Sequence, residues 1–266
     1  MKVLVTGAAG SIGRVVTPGL AERGHTVVGL DRVPQPDGED GAWYTVDCTD
    51  PDAVAAVFDE ESLDAVVHLA GHPDEASLPD SLSSHVVTTA ALLDAVHEHG
   101  VTRFVYASSN HAVGRTPRTD LLTVATRPRP DTFYGVGKVA AEALLSLYAD
   151  RYGLDAVACR IGSFLERPET LRQLATWLSH GDCVRMVEAA LTAPAPGFTV
   201  LYGISANTRA WWDLEPGRAL GFEPQDDAEA YADSVAPDAP EDVEVDCVGG
   251  PFTSTAYERP ALDRSS

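Results

Sequence analysis

Lysine is almost missing from this chain. Lys2 and Lys138 are the only two, against seventeen arginines. Positive charge is scarce altogether: 19 Lys and Arg face 40 Asp and Glu, a formal charge of −21. So acidic a protein argues against nucleic acid or an anionic membrane as partner. Cysteine is sparse too. Cys48, Cys159, Cys183 and Cys247 stand far apart with no Cys-x-x-Cys. They read as reduced thiols of a cytoplasmic protein, neither a disulfide frame nor a zinc site. No apolar run reaches 18 residues and no basic leader opens the chain, so neither a membrane span nor a signal peptide is expected. There is no internal repeat. His72, His85, His97, His99 and His111 lack metal-ligand spacing, so no metal is expected, and His68 reads as a satisfied core histidine. What is present is a 44% hydrophobic composition over 266 residues, enough for one full core.

Short apolar runs alternate with helical stretches from the start. Lys2 to Thr6 reads as a buried parallel strand. Gly7-Ala8-Ala9-Gly10-Ser11-Ile12-Gly13 follows, then a helix to about Arg23. Glycines between a strand and a helix start let backbone N–H groups approach a pyrophosphate, whose charge the helix dipole favours. Pro18 is expected to kink or shorten that helix. A second strand, Thr26 to Leu30, ends in Asp31. A carboxylate there accepts ribose hydroxyls and repels a 2′-phosphate, which favours NAD over NADP. Arg32 beside it is a candidate partner for a 2′-phosphate. A third strand, Tyr44 to Val46, leads to Asp47 and Cys48, near where an adenine would lie. Thr49 or Asp50 caps the helix that starts at Pro51. A fourth strand, Ala65 to Leu69, ends at Ala70-Gly71, whose small side chains leave room for the cofactor. Leu78 to His99 reads as one long amphipathic helix.

The stretch from Ser108 to Lys138 carries the chemistry. Ser108-Ser109-Asn110-His111 ends the apolar run Phe104 to Ala107. Tyr134-Gly135-Val136-Gly137-Lys138 opens an Ala/Leu-rich helix, and its Tyr and Lys share a face one turn apart. A free tyrosine, pKa about 10, is a poor base near neutrality. Lowering it by ~3 units needs ~4 kcal/mol, about what one ammonium at ~4 Å supplies in an effective dielectric of ~20. Tyr134 therefore reads as general base, Lys138 as the charge that tunes it, and Ser109 as the hydroxyl that holds the reacting oxygen. That a chain so poor in lysine keeps one here supports a specific role.

Asp155 to Ile161 is a further strand whose end, Arg160-Ile161-Gly162-Ser163, meets this site. The alternation predicts an α/β fold: a doubly wound parallel sheet (Rossmann) with its ligand at the strand C-termini. Residues 1–162 are expected to form the dinucleotide-binding part with Ser109, Tyr134 and Lys138. Residues 163–266 form a small C-terminal substrate-binding lobe, with one strand near 199–203 returned to the sheet. Arg167 to Trp177 reads as polar and mobile. Ser179 to Asp182 caps a helix through Leu191, and Trp211-Trp212-Asp213 packs the lobe. Pro237 to Asp242 is a linker, Gly249 to Phe252 a turn, and the last dozen residues a loose tail.

With these motifs in order, roughly residues 1 to 235 resemble the extended short-chain dehydrogenase/reductase (NAD-dependent epimerase/dehydratase) superfamily. Within it the chain is similar to the uronate dehydrogenases. The likeness rests on Ser108-Ser109-Asn110-His111, Tyr134-Gly-Val-Gly-Lys138, Arg160-Ile-Gly-Ser163, Thr176-Trp-Leu-Ser-His180, Gly203-Ile-Ser-Ala-Asn207, Trp211-Trp-Asp213 and Gly249-Gly-Pro-Phe252. The resemblance implies NAD-linked oxidation of the anomeric C1 of glucuronate or galacturonate to an aldarolactone. It implies a carboxylate clamp by Arg172 helped by Ser163, and sugar-hydroxyl contacts from Asn110 and His111. Phe252 would close the pocket. The cofactor would meet Gly7, Gly10, Ser11, Ile12, Gly13, Asp31, Arg32, Asp47, Cys48, Leu69, Ala70, Gly71, Tyr134, Lys138 and Ile161. A homo-oligomer (dimer or higher) through the two long helices is a further implication. Pro73 and His85 depart from the pattern, which carries serine and asparagine there. Rival readings are a dehydrogenase of another aldose or sugar phosphate, a nucleotide-sugar epimerase, and a non-catalytic NAD sensor.

Overall fold

Side chains of a strand point alternately to its two faces, and the first strand uses both. Val3 and Val5 of β1 (Lys2–Thr6) enter one core with Val16, Leu20, Met186 and Leu191, while Leu4 enters a second with Val57, Leu92, Phe104 and Leu145. A strand buried on both sides belongs inside a parallel sheet. The computed structural model, which describes residues 1–38, 41–118, 121–235 and 247–262, has that arrangement. The strands are β1, β2 (Thr26–Asp31), β3 (Ala42–Thr45), β4 (Ala65–His68), β5 (Arg103–Ser109), β6 (Asp155–Ile161), the short β7 (Ser163–Phe164) and β8 (Trp177–Leu178), and β9 (Phe198–Gly203). Seven of them form one parallel sheet in the order β3-β2-β1-β4-β5-β6-β9, and β7 pairs with β8 apart from it. The order reverses between β1 and β4, so the loops after those strands part and leave a crevice at their C-terminal ends.

Helices cover both faces: α1 (Gly13–Glu22) and α7 (His180–Thr192) on one, α2 (Pro51–Glu60), α4 (Thr88–Glu98) and α5 (Phe133–Tyr152) on the other. Among the described residues three short helices accompany them, α3 (Leu78–Leu82), α6 (Gln173–Thr176) and α8 (Glu215–Ala219). Asp50 caps α2 through the N–H groups of Asp52 and Ala53, and Ser179 caps α7 through that of Asp182. Such caps satisfy donors that a helix start leaves free. Lys2, at the N-terminal end of β1, pairs with Glu61.

Several expectations need correction. Leu78 to His99 is not one α-helix: α3 and α4 are joined by a π turn, Ser83–Val87. There Thr88 and Thr89 donate their hydroxyls to the carbonyls of Ser84 (2.7 Å) and His85 (2.6 Å), a back-bonding that bends a helix. The segment before Trp177 is ordered. Leu174, Ala175, Thr176 and Trp177 are buried, and the Trp177 indole donates to the Leu165 carbonyl at 2.8 Å. Pro18 does not end helix α1, which continues to Glu22. The tail is partly packed, since Tyr257 lies 4.6 Å from Phe252 between ring centres. Trp212 joins Val113, Leu122, Tyr202, Ile204 and Val248 in a separate core under the C-terminal part. The linker read at Pro237 to Asp242 lies outside the described residues. Among the described residues no helix is long and apolar enough to cross a membrane.

Candidate active site

The glycine loop packs backbone against backbone. Gly7 has φ +69°, and a Cβ on it would stand 2.7 Å from the Ala70 nitrogen. A Cβ on Gly13 would stand 2.3 Å from the Gly7 carbonyl oxygen. No side chain caps α1, so its first N–H groups lack a side-chain acceptor beside Gly10, Ser11 and Ile12. A small, electropositive cradle of this kind suits a phosphate group. Asp31, at the end of β2, accepts the Ala9 N–H at 3.0 Å and the Val33 N–H at 3.3 Å. It therefore ties the glycine loop to the adjacent strand, a role its sequence position did not reveal. Arg32 is exposed beside it. Asp47 accepts both the N–H (2.9 Å) and hydroxyl (2.8 Å) of Thr49, and these bonds hold it below the usual carboxylate range. Burial pushes the Cys48 thiol up to about 12. On the other side of the crevice, Leu69 donates to the Thr6 carbonyl (3.1 Å) and Ala70 to the Thr6 hydroxyl (3.3 Å). That hydroxyl also meets His68 Nδ1 at 2.7 Å, and burial holds His68 neutral, its pKa down to about 3. Among the described residues no group of His, Cys, Asp or Glu is arranged to hold a metal ion.

The structure brings Ser109, Tyr134 and Lys138 together. Ser109 ends β5 beside Ile161 of β6 and caps the turn Asn110–Val113, accepting the His111 N–H at 3.2 Å. Tyr134 is in the first turn of α5, which Thr132 caps through the Gly135 N–H. The Tyr134 ring is partly exposed to the cleft, but its hydroxyl lies deep. Burial pushes the phenol up to about 12, against the pull of a Ser109 hydrogen bond. Two imidazoles stand edge-on to the ring, His85 at 5.0 Å and His111 at 5.9 Å between centres. His111 Nδ1 meets the Asp131 carboxylate at 2.9 Å. His85 fills the space between Gly71 and Gly137, and burial depresses its pKa to about 2.

Lys138 is buried beside the Tyr134 ring. Its ammonium donates to the Ala107 carbonyl at 2.7 Å and lies 5.3 Å from the Tyr134 ring centre. Burial pulls Lys138 down to about 7, partly opposed by Glu142 one turn on. Burial thus disfavours the charged form of both Tyr134 and Lys138. Ser108, adjacent to Ser109, points elsewhere: it donates to Glu142 at 2.6 Å. Glu142 also accepts Arg160 Nε at 2.9 Å and Nη2 at 2.8 Å, so a buried ion pair binds α5 to the ends of β5 and β6. The sequence reading missed Glu142, Asp131 and Glu75, whose carboxylate accepts the N–H groups of Phe133 and Tyr134. Only Glu142 left a local signal, its i+4 spacing from Lys138.

The remaining candidates lie where the C-terminal segment crosses the cleft. Ser163 shares a 2.8 Å hydrogen bond with Thr176, whose hydroxyl reaches back to the Arg172 carbonyl at 3.3 Å. Arg172 Nη2 donates to the Val248 carbonyl at 2.9 Å, while its buried Nε has no hydrogen-bond partner among the described residues. Burial lowers the Arg172 pKa. Gly250 lets the chain pass this side chain: a Cβ there would meet Nε at 2.6 Å. Phe252, two residues on, lies 4.5 Å from the His111 ring. Asn110 is buried, its oxygen 3.4 Å from the Ser109 hydroxyl.

Comparison with known proteins agrees with this geometry. Residues 3–165 match the NAD dependent epimerase/dehydratase family. The chain is 37% identical over 255 residues to a uronate dehydrogenase of Agrobacterium fabrum, covering 94% of this chain and 96% of that one. It is 34% identical to a uronate dehydrogenase of Pseudomonas putida, covering 88% and 87%. A crystal structure of a mutant uronate dehydrogenase from Agrobacterium tumefaciens, complexed with NAD, superposes with a TM-score of 0.89 at 35% identity, covering 99% of each chain.

Proposed function

The chain belongs to the NAD dependent epimerase/dehydratase family, and we propose that it oxidises the anomeric C1 hydroxyl of a hexuronate, glucuronate or galacturonate, to the aldarolactone. One observation carries the substrate class: the buried Arg172 guanidinium at the cleft, whose Nε has no hydrogen-bond partner among the described residues. A buried donor left unsatisfied costs about 1–3 kcal/mol, a cost that an anionic ligand accepting from this guanidinium would offset. In a protein of charge −21, a carboxylate-bearing sugar needs a local cation, and a planar guanidinium matches a carboxylate best.

The cradle fits NAD: Gly7, Gly10 and Gly13 allow close approach, the uncapped α1 start favours the pyrophosphate, and Asp31 at the end of β2 keeps acceptor capacity for ribose hydroxyls. Bound NAD supplies the acceptor for the C1 hydride. The chain's own residues do the rest. Ser109 holds O1, and Tyr134 takes its proton. Lys138 places positive charge beneath the Tyr134 ring. Arg172, with Ser163, fixes the carboxylate end and so aligns C1. Asn110 and His111 bind ring hydroxyls, and Phe252 covers them. In this reading residues 1–162 bind the cofactor and 163–266 complete the sugar pocket, although β9 of the second part lies in the sheet of the first. A cytoplasmic homo-oligomer completes the proposal. Four free thiols support the location, and the exposed Leu147 and Tyr152 of α5 support a contact with a second copy.

The test is initial-rate NADH production on glucuronate, galacturonate, glucose and glucose 6-phosphate, for wild type and Arg172→Ala. Turnover confined to the uronates, and lost mainly with the arginine, is expected. Turnover of the phosphate alone would overturn the substrate class.

A further inference from the structure

We propose that Glu75 is a positioning residue that fixes Tyr134 relative to the loop after β4, and with it the proton acceptor relative to the cofactor side of the cleft. The proposal rests on Tyr134 being that acceptor.

The start of α5 leaves three N–H groups without intrahelical partners, those of Phe133, Tyr134 and Gly135. The Thr132 hydroxyl takes the third at 3.0 Å. The first two go to a side chain far away in sequence. Phe133 N–H donates to Glu75 Oε1 and Tyr134 N–H to Glu75 Oε2, each at 3.0 Å. One oxygen on each N–H fixes both the place and the rotation of the turn that carries Tyr134, and a negative charge there suits the helix dipole. A nearer carboxylate exists at Asp131, but it is committed to His111 at 2.9 Å. The helix is therefore tied across the cleft.

The other end of the tie is firm. Gly71 to Ser77 is pinned at both ends, by the His72 N–H on the Ser84 hydroxyl (2.6 Å) and by Ser77, which caps α3 and donates to Asp80 (2.6 Å). Just before it, Ala70 touches the glycine loop, so closely that Gly7 has no room for a Cβ. A continuous path runs from the glycine loop through Ala70 and Glu75 to the backbone nitrogen of Tyr134. Shifting that path moves the phenol relative to the cofactor, which costs rate even with all reacting groups intact.

A groove of about 260 Å³, lined by Glu75, Pro130, Thr132, Phe133, Val136 and Tyr257, opens on this carboxylate. A small carboxylate added to solution reaches the space that a truncated side chain leaves. The experiment uses Glu75→Ala and Glu75→Gln in the full chain. Steady-state kinetics on a uronate are run with and without formate, with chloride as ionic-strength control. Amide hydrogen exchange is read on the substrate-free protein. For Glu75→Ala, kcat is expected to fall between about ten- and a hundredfold, with KM within about threefold. Formate restores several-fold of the loss and chloride does not. Glu75→Gln, which keeps one acceptor, falls between the two. The Phe133 and Tyr134 amides exchange at least about tenfold faster, while those of Leu144 to Tyr148 are unchanged. Unchanged exchange at Phe133 and Tyr134, or a loss of kcat that formate does not relieve, overturns the proposal. If wild type turns over no uronate, the functional reading fails by itself. The exchange measurement needs no substrate and then decides whether Glu75 holds the helix.

Discussion

Removing the carboxylate of Glu142 tests how the catalytic strand ends are held. Glu142 is 5% exposed and Arg160 3%. The carboxylate accepts three bonds, from the Ser108 hydroxyl and from Nε and Nη2 of Arg160. Glu142→Gln keeps the shape but turns an amide N–H toward a guanidinium N–H and leaves the cation buried without its counter-charge. Breaking one partner of a buried pair costs about 3–5 kcal/mol. Against a total stability of ~5–15 kcal/mol that is a large share, and at ~2–4 °C per kcal/mol the midpoint falls by roughly 10 °C. Urea and thermal melts measure it. The companion variant, Glu142→Leu with Arg160→Met, removes both charges. It is expected to recover most of the loss, because apolar groups of similar volume replace buried pairs at little cost. A double-mutant cycle then yields the coupling. A Glu142→Gln penalty below about 1 kcal/mol, or a double variant no better than the sum of its singles, would refute the argument that this pair is desolvated and mutually dependent.

Three further outcomes are expected. Because burial pushes the Tyr134 phenol up to about 12, it is protonated near neutrality, so kcat/KM on a uronate climbs as pH rises above 7; a flat profile would reject it as the base. His68 and His85 are held neutral by burial, at about 3 and about 2, below the ~6.5 of an unfolded histidine. The unfolded chain thus binds two more protons as pH falls below about 6, and stability drops by about 2.7 kcal/mol per pH unit from this pair, a slope that His85→Asn halves in urea melts. Gly13→Ala places a methyl 2.3 Å from the Gly7 carbonyl oxygen, which backbone cannot yield; a loss of ~1–3 kcal/mol and weaker NAD binding by calorimetry are expected.

The glycine loop, Asp31 and the Ser109, Tyr134 and Lys138 set were legible because each is a local pattern: a strand, a turn and a helix start, or two residues one turn apart. The parallel sheet was legible from strands apolar on both faces. What stayed hidden depends on distance or on burial. Glu75 meets Tyr134 across 59 residues, and Arg160 meets Glu142 across 18, with no spacing rule to announce either. The burial of the Tyr134 hydroxyl stayed hidden too, because residue types do not encode how much water reaches it. The π turn at Ser83–Val87 was hidden for a related reason: the apolar spacing around it fits an ordinary helix, and only the inward turn of His85 gives it away.

The two lysines sit at opposite ends of the sheet. Lys138 is sealed beneath the cleft, whereas Lys2 lies at the N-terminal edge of β1, away from the strand ends that form the site, with its side chain 34% exposed. Among side chains, an amine-reactive resin or dye therefore has one accessible point of attachment, on the face opposite the cleft. Protein coupled there would stand with its cleft toward the solution, an oriented catalyst obtained without engineering a tag.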